Sequence, residues 1–475
     1  MTFAVALSAL VCGFCAFGIG VSADRSIVAG KMRYDRWHND YCHSMVYKIM
    51  LKSKSKPNPH TTIDDALKIV RMIHDLSGGM HQIVYLVGWQ HLGHDSKFPD
   101  WGRVGDHCKS SYSKDPLASL RAMMRDARKL NADVSLHINM NDAYTNSPLW
   151  STYCANKLLC IDKHGRFCST GVWDGEESYG ISHLKEWNSG YAQKRILGLL
   201  EMIPELKESH TVHIDALFGL ASLGDDINEA ADIEAIDKIV DFWHQNEIDV
   251  TTEFLPALNQ VGYFPMVYHY NVDERYKIII PPDLLCGGDS AWNTRNQQDY
   301  YNKIWKGMMP LPGCVYEEAW GEGHWGDLVS SDLRDVTKLI RLLFSRTFLF
   351  VYYNQARPIS HVIDGKFYRV KRSNGVESCV DMVSRILTVS DNGRMVVSDG
   401  DYCLDFPYGG GTLLLYSARG CSRSVQLPRR FKGATEFSGL RYPEGEKVRF
   451  EVKNGEVVVE LKAGASAVLH ADLCQ

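Results

Sequence analysis

Two acids stand near the ends of short β-branched runs: Asp215 in TVHIDALF (211–218) and Glu253 in IDVTTEF (248–254). In an extended chain side chains alternate, so His213 and Asp215 share a face while Val212, Ile214 and Ala216 take the other. In the second run Asp249, Thr251 and Glu253 share a face. Residues 216–247 suffice for one crossover with its helix, which makes the two runs neighbouring parallel strands. Two carboxylates on neighbouring strand ends can act on one bond. Cleavage of a glycosidic bond asks for such a pair, roughly 5 Å apart when one is a nucleophile and the other a general acid and then a base. Asp215 fits the nucleophile. Glu253, among apolar and hydroxyl neighbours, fits the proton donor, because desolvation raises a carboxyl pKa. The bland alternative is a pair of acids in rim ion pairs or helix caps.

A third segment narrows the choice. YLVGWQHLGHDSKFPD (85–100) starts as a strand and leads to Trp89, Gln90, His91, His94 and Asp95, an aromatic ring beside planar donors and acceptors of the kind that read sugar hydroxyls. A metal site is the competing reading, but H-L-G-H-D lacks the helical i,i+4 spacing of zincins. SLHINMNDAY (135–144) adds His137, Asn139, Asn141, Asp142 and Tyr144 at the next strand end. Further along, YEEAWGEGHWGD (316–327) carries Glu317, Glu318, Trp320, Glu322, His324 and Trp325, a contribution to the sugar site or a solvated rim loop. Asp289 after Gly287-Gly288, and His269 with Asn271, are undecided between pocket and ordinary turn. Neither a Gly-rich phosphate loop nor a G-x-S-x-G elbow occurs, which removes kinase and serine-hydrolase readings.

These residues need a scaffold that gathers strand ends. Thr62 caps a predicted helix whose stripe is Ala66, Ile69, Val70 and Ile73, and Asp115-Pro116 opens another through Leu130 with Leu117, Leu120, Met124 and Ala127 on one face. Further helices are expected at about 190–205, 232–246, 293–308 and 332–346. Strands are expected at 82–89, 133–139, 211–217, 248–254, 266–271, 284–288, 314–319 and 347–353. Eight strands alternating with helices favour an α/β fold of the (β/α)8 TIM-barrel type, with a doubly wound sheet as runner-up. Residues 151–189 interrupt the alternation with a hairpin at His164-Gly165, an insertion that serves as a lid or as a surface loop. After residue 366 short alternating strands with Asn-Gly and Gly-Gly turns predict an all-β sandwich. Its default role is support for the barrel, with carbohydrate binding as the alternative. The expected organisation is 1–23 signal peptide, 24–59 N-terminal segment, 60–365 catalytic barrel and 366–475 β-sandwich.

The bulk composition agrees with a folded, globular chain: 475 residues, 45% hydrophobic, net charge −5 with acids and bases interleaved. No basic stripe suggests a nucleic-acid partner. Aromatics at 11% suit both stacking on sugars and a large core. The thirteen cysteines are irregularly spaced, and Cys12-x-x-Cys15 has neither a second pair nor nearby histidines, so buried thiols are expected, with a few disulfides if the protein is exported. Residues 1–23 are uncharged and end in a small-x-small pattern at Val21-Ser22-Ala23, which suggests a signal peptide and a secreted or periplasmic protein, although no Lys or Arg precedes the apolar run. No other stretch approaches transmembrane length.

GWQHLGHDSKFPD, SLHINMNDAY, HIDALF and TTEF, in that order on successive predicted strands, together resemble glycoside hydrolase family 101, the endo-α-N-acetylgalactosaminidases, and more distantly family 129. The resemblance covers about residues 45–360, and the C-terminal β region also looks like the family's. It implies a retaining hydrolase acting on GalNAc α-linked to Ser or Thr in mucin-type O-glycans, hence a glycan or glycoprotein substrate. It implies Asp215 as nucleophile and Glu253 as acid/base, with His94 and Asp95 on the hydroxyls of the sugar in subsite −1 and Asn139 nearby. Trp89, Gln90, His137, His213 and Trp320 complete the expected binding residues. The chain lacks the family's large N-terminal β domains and most of its C-terminal modules. The family's tryptophan-bearing lid has no clean match, with Trp173 and Trp187 in about the right region. An exo-acting enzyme, a related α-galactosidase or α-N-acetylgalactosaminidase, and a catalytically silent glycan-binding barrel therefore stay open. No organic cofactor and no catalytic metal are expected. A structural calcium follows only by family analogy, since no D-x-D-x-D loop occurs.

Overall fold

The computed structural model describes residues 33–253 without a break, then 255, 260–267, 281, 283–285, 336–344, 348–353 and most of 355–471. Its first layer is a parallel sheet of β1 (Met45–Met50), β2 (Gln82–Val87), β3 (Ala132–Asn139), β7 (Thr211–Asp215) and β8 (Asp249–Thr252), side by side in that order. Between β3 and β7 the chain makes a separate antiparallel sheet of β4 (Asp142–Tyr144), β5 (Ser169–Trp173) and β6 (Glu176–Gly180). All strands of the parallel sheet carry nearly continuous buried runs, as expected of strands covered on both faces. The order never reverses among the described strands, unlike a doubly wound sheet. Thr252 bridges in parallel to Val267, at the start of the run expected as the next strand.

Helices α1 (Ile63–Ser77), α2 (Pro116–Arg128), α3 (Tyr191–Met202) and α4 (Glu229–Gln245) fill the crossovers. Local chemistry explains their starts. The Thr62 hydroxyl accepts the Asp65 N–H at 3.1 Å, and the Asp115 carboxylate accepts the Leu117 N–H at 3.1 Å with Pro116 in the first turn. On α1 the expected stripe Ala66, Ile69, Val70 and Ile73 is wholly buried, joined by Ile63 and Leu76. The hairpin at His164-Gly165 is also present, with the Asp162 N–H on the Arg166 carbonyl and Gly165 at φ +76°.

From Pro358 to Ala471 the described strands form a ten-stranded antiparallel sheet and a three-stranded one. Leu413 and Leu415 of the first pack with Val457, Val459 and Leu461 of the second in one apolar cluster. The other face of the large sheet, through Leu404, Leu414 and Val468, joins the core that also contains α1 and β1 to β3.

Three expectations are corrected. Residues 348–353, expected within a strand, form a helix (Phe348–Tyr353): FLFVYY is apolar throughout, and a short run buried on all sides has no period to tell strand from helix. The sheet begins a strand earlier than expected, at Met45–Met50 inside 24–59, because Lys48 interrupts what would otherwise read as a buried apolar run. Leu284, expected to open a strand, lies in a turn closed on the Pro281 carbonyl. Residues 1–23, expected as a signal peptide, the helix expected at 293–308, the strand expected at 314–319, and most of 266–271 and 284–288 lie outside the described residues, as do His269, Asn271, Asp289, Trp320 and the rest of 316–327.

Candidate active site

Pairing in register brings the C-terminal ends of β3, β7 and β8 together: Asn139 stands opposite Asp215, and His213 opposite Thr251. Asp215 ends β7, and the next residue, Ala216, turns the chain through a left-handed φ of +43°. Glu253 follows β8 directly. Both acids approach His137 of β3, whose Nε2 is 3.9 Å from Asp215 Oδ1 and 3.8 Å from Glu253 Oε1. The two carboxylates therefore cannot stand further apart than those two distances laid end to end, a span that admits the spacing of a double-displacement pair.

Each acid is held differently. Asp215, 13% exposed at its side chain, has His94 Nε2 at 3.6 Å and the Asn139 amide at 3.4 Å, both on Oδ2. Burial and then the neighbouring Glu253 carboxylate push its pKa up to about 7. Burial acts to lower the His94 pKa, but the Asp95 carboxylate at 3.0 Å and Asp215 outweigh it and raise the value well above that of an ordinary imidazole. Glu253 Oε1 accepts from Lys48 Nζ at 2.8 Å, across a contact with both side chains almost wholly buried. His137 is pushed down to about 3 by burial and by Lys48, so its ring stays neutral.

Behind these groups the site is braced. The Asn139 side-chain oxygen Oδ1 accepts the Asn141 and Asp142 backbone N–H groups, both at 2.8 Å, which turns its Nδ2 toward Asp142 at 2.6 Å and Asp215. Asp142 in turn accepts from Thr170 at 2.6 Å and Ser178 at 2.7 Å. The β4 to β6 sheet is thus wired to Asp215 through Asn139. The β5–β6 hairpin also reaches the loop after β1, where Ser53 donates to Asp174 at 2.5 Å and Lys54 pairs with Glu176 at 3.0 Å. Within this insertion Trp173 is largely exposed, whereas Trp187 packs edge-on against Phe242 of α4.

The loop carrying His94 and Asp95 is pressed against the chain after β1. Gly88 has φ +71°, and a Cβ there would come within 1.9 Å of the Lys52 carbonyl, which accepts the His94 N–H at 2.7 Å. His91, Asp95 and Lys97 all take left-handed backbone, the kind of local strain that collects at functional loops.

Of the expected residues, the structure gathers Asp215, Glu253, His94, Asp95, His137, Asn139 and His213 into one cluster, with His213 Nδ1 on Thr251 at 2.8 Å and its ring stacked on His137. Trp89 and Gln90 sit beneath it. Trp89 is fully buried and donates its indole N–H to the His137 carbonyl at 3.0 Å, and Gln90 donates to the Gly93 carbonyl at 3.2 Å. They shape the floor and the loop and offer no open face. His91 pairs with Asp100 at 3.1 Å, away from the acids. Sequence reasoning missed Lys48, for which the one signal was a charge inside an apolar strand.

His94, His137 and Asp215 bring ligand-type atoms within 4.8 Å of one another, as do His137, His213 and Glu253. His137 belongs to both sets. Carboxylates set against imidazoles in this way suit acid–base and nucleophilic chemistry.

A family model described as endo-α-N-acetylgalactosaminidase, glycoside hydrolase family 101, matches residues 23–277, more than half of the chain. The chain belongs to glycoside hydrolase family 101. The enzyme class expected from the paired acids, a glycoside hydrolase, is the class of that family. A search of curated protein sequences finds no match. Among solved structures, the chain is similar to the α-N-acetylgalactosaminidase NagBb from Bifidobacterium bifidum in complex with GalNAc, at 10% identity and a TM-score of 0.49, over 73% of this chain and 57% of that one. It is also similar to an α-galactosidase from Thermus thermophilus in complex with stachyose (14% identity, TM-score 0.36, 53% and 49% covered). An α-amylase from Lactobacillus plantarum gives 12% identity and a TM-score of 0.41, with 90% and 99% covered. Likenesses at these levels assign no activity, and the chain spans little more than half the length of the Bifidobacterium protein. No helix among the described residues is long and apolar enough to cross a membrane.

Proposed function

We propose that the protein is a retaining glycoside hydrolase that cleaves α-linked N-acetylgalactosamine of mucin-type O-glycans on a (β/α)8 barrel. The observation that carries this reading is the pair Asp215 and Glu253, at the ends of adjacent parallel strands and each within 4 Å of one neutral imidazole nitrogen. The barrel reading is supported by five parallel strands in unreversed order and by an isolated parallel bridge from Thr252 to Val267. Barrel enzymes assemble their sites where these acids stand, at the C-terminal ends of the strands.

In the first step an Asp215 oxygen bonds to the anomeric carbon while the glycosidic C–O bond breaks and the leaving oxygen takes a proton from Glu253. In the second, Glu253 takes a proton from water as the water oxygen bonds to the same carbon and releases Asp215. His94, charged by its contacts with Asp95 and Asp215, holds the nucleophile in its ionised form as the proton leaves, and with Asp95 offers donor and acceptor to sugar hydroxyls. Asn139 fixes the Asp215 oxygen that His94 also approaches. These residues complete the chemistry without an organic cofactor or a catalytic metal. A mucin-type substrate lies outside the cell, so export through residues 1–23 is part of the same proposal.

The test is a panel of aryl α-glycosides of GalNAc, of Galβ1,3GalNAc and of galactose. Turnover of either GalNAc-containing substrate is expected. Turnover of the disaccharide alone assigns endo action, and of the monosaccharide alone exo action. Turnover of the α-galactoside alone overturns the assigned sugar, and no turnover of any glycoside by the folded full-length chain overturns the enzymatic reading.

A further inference from the structure

We propose that Lys48 is a positioning residue of Glu253: its ammonium fixes Oε1 and favours the ionised carboxylate that activates water. This rests on the reading of Glu253 as acid/base. Lys48 sits in the middle of β1, flanked by the buried residues Tyr47 and Ile49, with its own side chain 1% exposed. A buried lysine is costly to desolvate unless its charge is met, so an apolar residue would serve the sheet better here. The charge is met by Glu253 Oε1 at 2.8 Å, the same oxygen that His137 Nε2 approaches at 3.8 Å.

Among the described residues, the charged and titratable groups near Glu253 include Lys48 of β1, His137 of β3, and His213 and Asp215 of β7, with His94 and Asp95 on the far side of Asp215. His137 is neutral, and the His94 charge is spent on Asp95 and Asp215. Lys48 therefore supplies the positive charge in direct contact with Glu253 among these groups. An N–H donor on Oε1 makes that oxygen the poor seat for a proton, since an O–H there would face the ammonium. In the first step the Glu253 proton passes to the glycosidic oxygen as the C–O bond breaks. In the second a water proton returns to Glu253 as the water oxygen bonds to the anomeric carbon and the Asp215 ester bond breaks. Lys48 opposes the acid form and supports the base form, so its removal separates the two half-reactions.

The experiment compares the full-length chain with Lys48→Met and Lys48→Arg, on aryl α-glycosides of the preferred sugar with good and poor leaving groups, across pH. Losing a direct opposite charge should move the alkaline limb of kcat/KM up by about one unit or more in Lys48→Met. It should also slow release of the glycosyl-enzyme by roughly tenfold or more, so that kcat no longer depends on the leaving group. Lys48→Arg, which keeps the charge, should restore the limb. An unmoved limb with kcat/KM lowered equally for both leaving groups would show a merely structural lysine and overturn the proposal. If Lys48→Met does not fold, Lys48→Gln, which keeps a donor but drops the charge, is read in the same way. Glu253→Gln serves as the separate control. Loss of the alkaline limb, with azide rescue on the good leaving group, supports the acid/base reading, and a wild-type profile overturns that reading whatever the Lys48 variants do.

Discussion

Two buried aspartates at opposite ends of adjacent strands meet opposite fates. Asp249 opens β8, with its side chain fully buried. Its Oδ2 accepts the His38 N–H at 2.8 Å and the Asn39 N–H at 3.2 Å, while Oδ1 faces His38 Nδ1 at 2.8 Å. Burial alone would raise its pKa, but His244, His38 and the backbone donors hold it below that of an ordinary carboxylate. Asp215 closes β7 with one imidazole and one amide nitrogen at 3.4 Å or more, and a second carboxylate nearby, and its pKa rises to about 7. Burial is common to both. What separates them is how completely the negative charge is met, and the acid whose charge is poorly met is the one suited to change its bonding during a reaction.

The largest effect that could break this contrast is on turnover. Asp215→Asn should remove roughly 10⁴-fold or more of the rate, as loss of a nucleophile does, with the far-ultraviolet spectrum unchanged. Removing a carboxylate that is costly to ionise should also leave the melting temperature at pH 8 unchanged or higher. Asp249→Asn should do the reverse. It strands two imidazoles and loses charge-assisted bonds, costing about 3 kcal/mol, while activity per folded molecule stays within a few-fold. A dead but fully stable Asp249→Asn would erase the distinction.

The same two groups set opposite pH signs. Asp215 must be ionised to attack, so kcat/KM should fall as pH drops through about 7. Asp249, with its folded pKa held low, contributes stability above its unfolded value of roughly 3.9, which is lost only as pH falls through the lower folded value. The acid loss of activity should therefore precede any loss of structure. Circular dichroism at pH 5.5 that shows unfolding in step with inactivation would contradict this. The smallest effect belongs to Trp89→Phe, which deletes the hydrogen bond to the His137 carbonyl, worth about 1 kcal/mol, and should leave KM within roughly twofold. A tenfold rise in KM would put the indole against the sugar after all.

Much of the fold and of the site is legible in the amino-acid sequence. Thr62 and Asp115-Pro116 mark helix starts by local hydrogen-bonding chemistry, and alternation puts His213 with Asp215 and Thr251 with Glu253, because those signals act over a few residues. What escapes the sequence depends on distant partners. Lys48 hides β1 because a charge in a buried strand makes sense only once Glu253 lies opposite. Trp89 reads as a sugar-stacking ring from its company, yet it is the strand above, through the His137 carbonyl, that claims it. The link from Asn139 through Asp142 to Thr170 and Ser178 spans an insertion with no period of its own. FLFVYY offers too few polar positions to choose between helix and strand.

The central claim, that Asp215 and Glu253 act as nucleophile and acid/base of a double displacement, is tested most directly by the configuration of the first sugar released. Proton NMR at early times of turnover, before mutarotation, should find the α-anomer. Release of the β-anomer would mean direct attack by water and would remove the covalent role from Asp215.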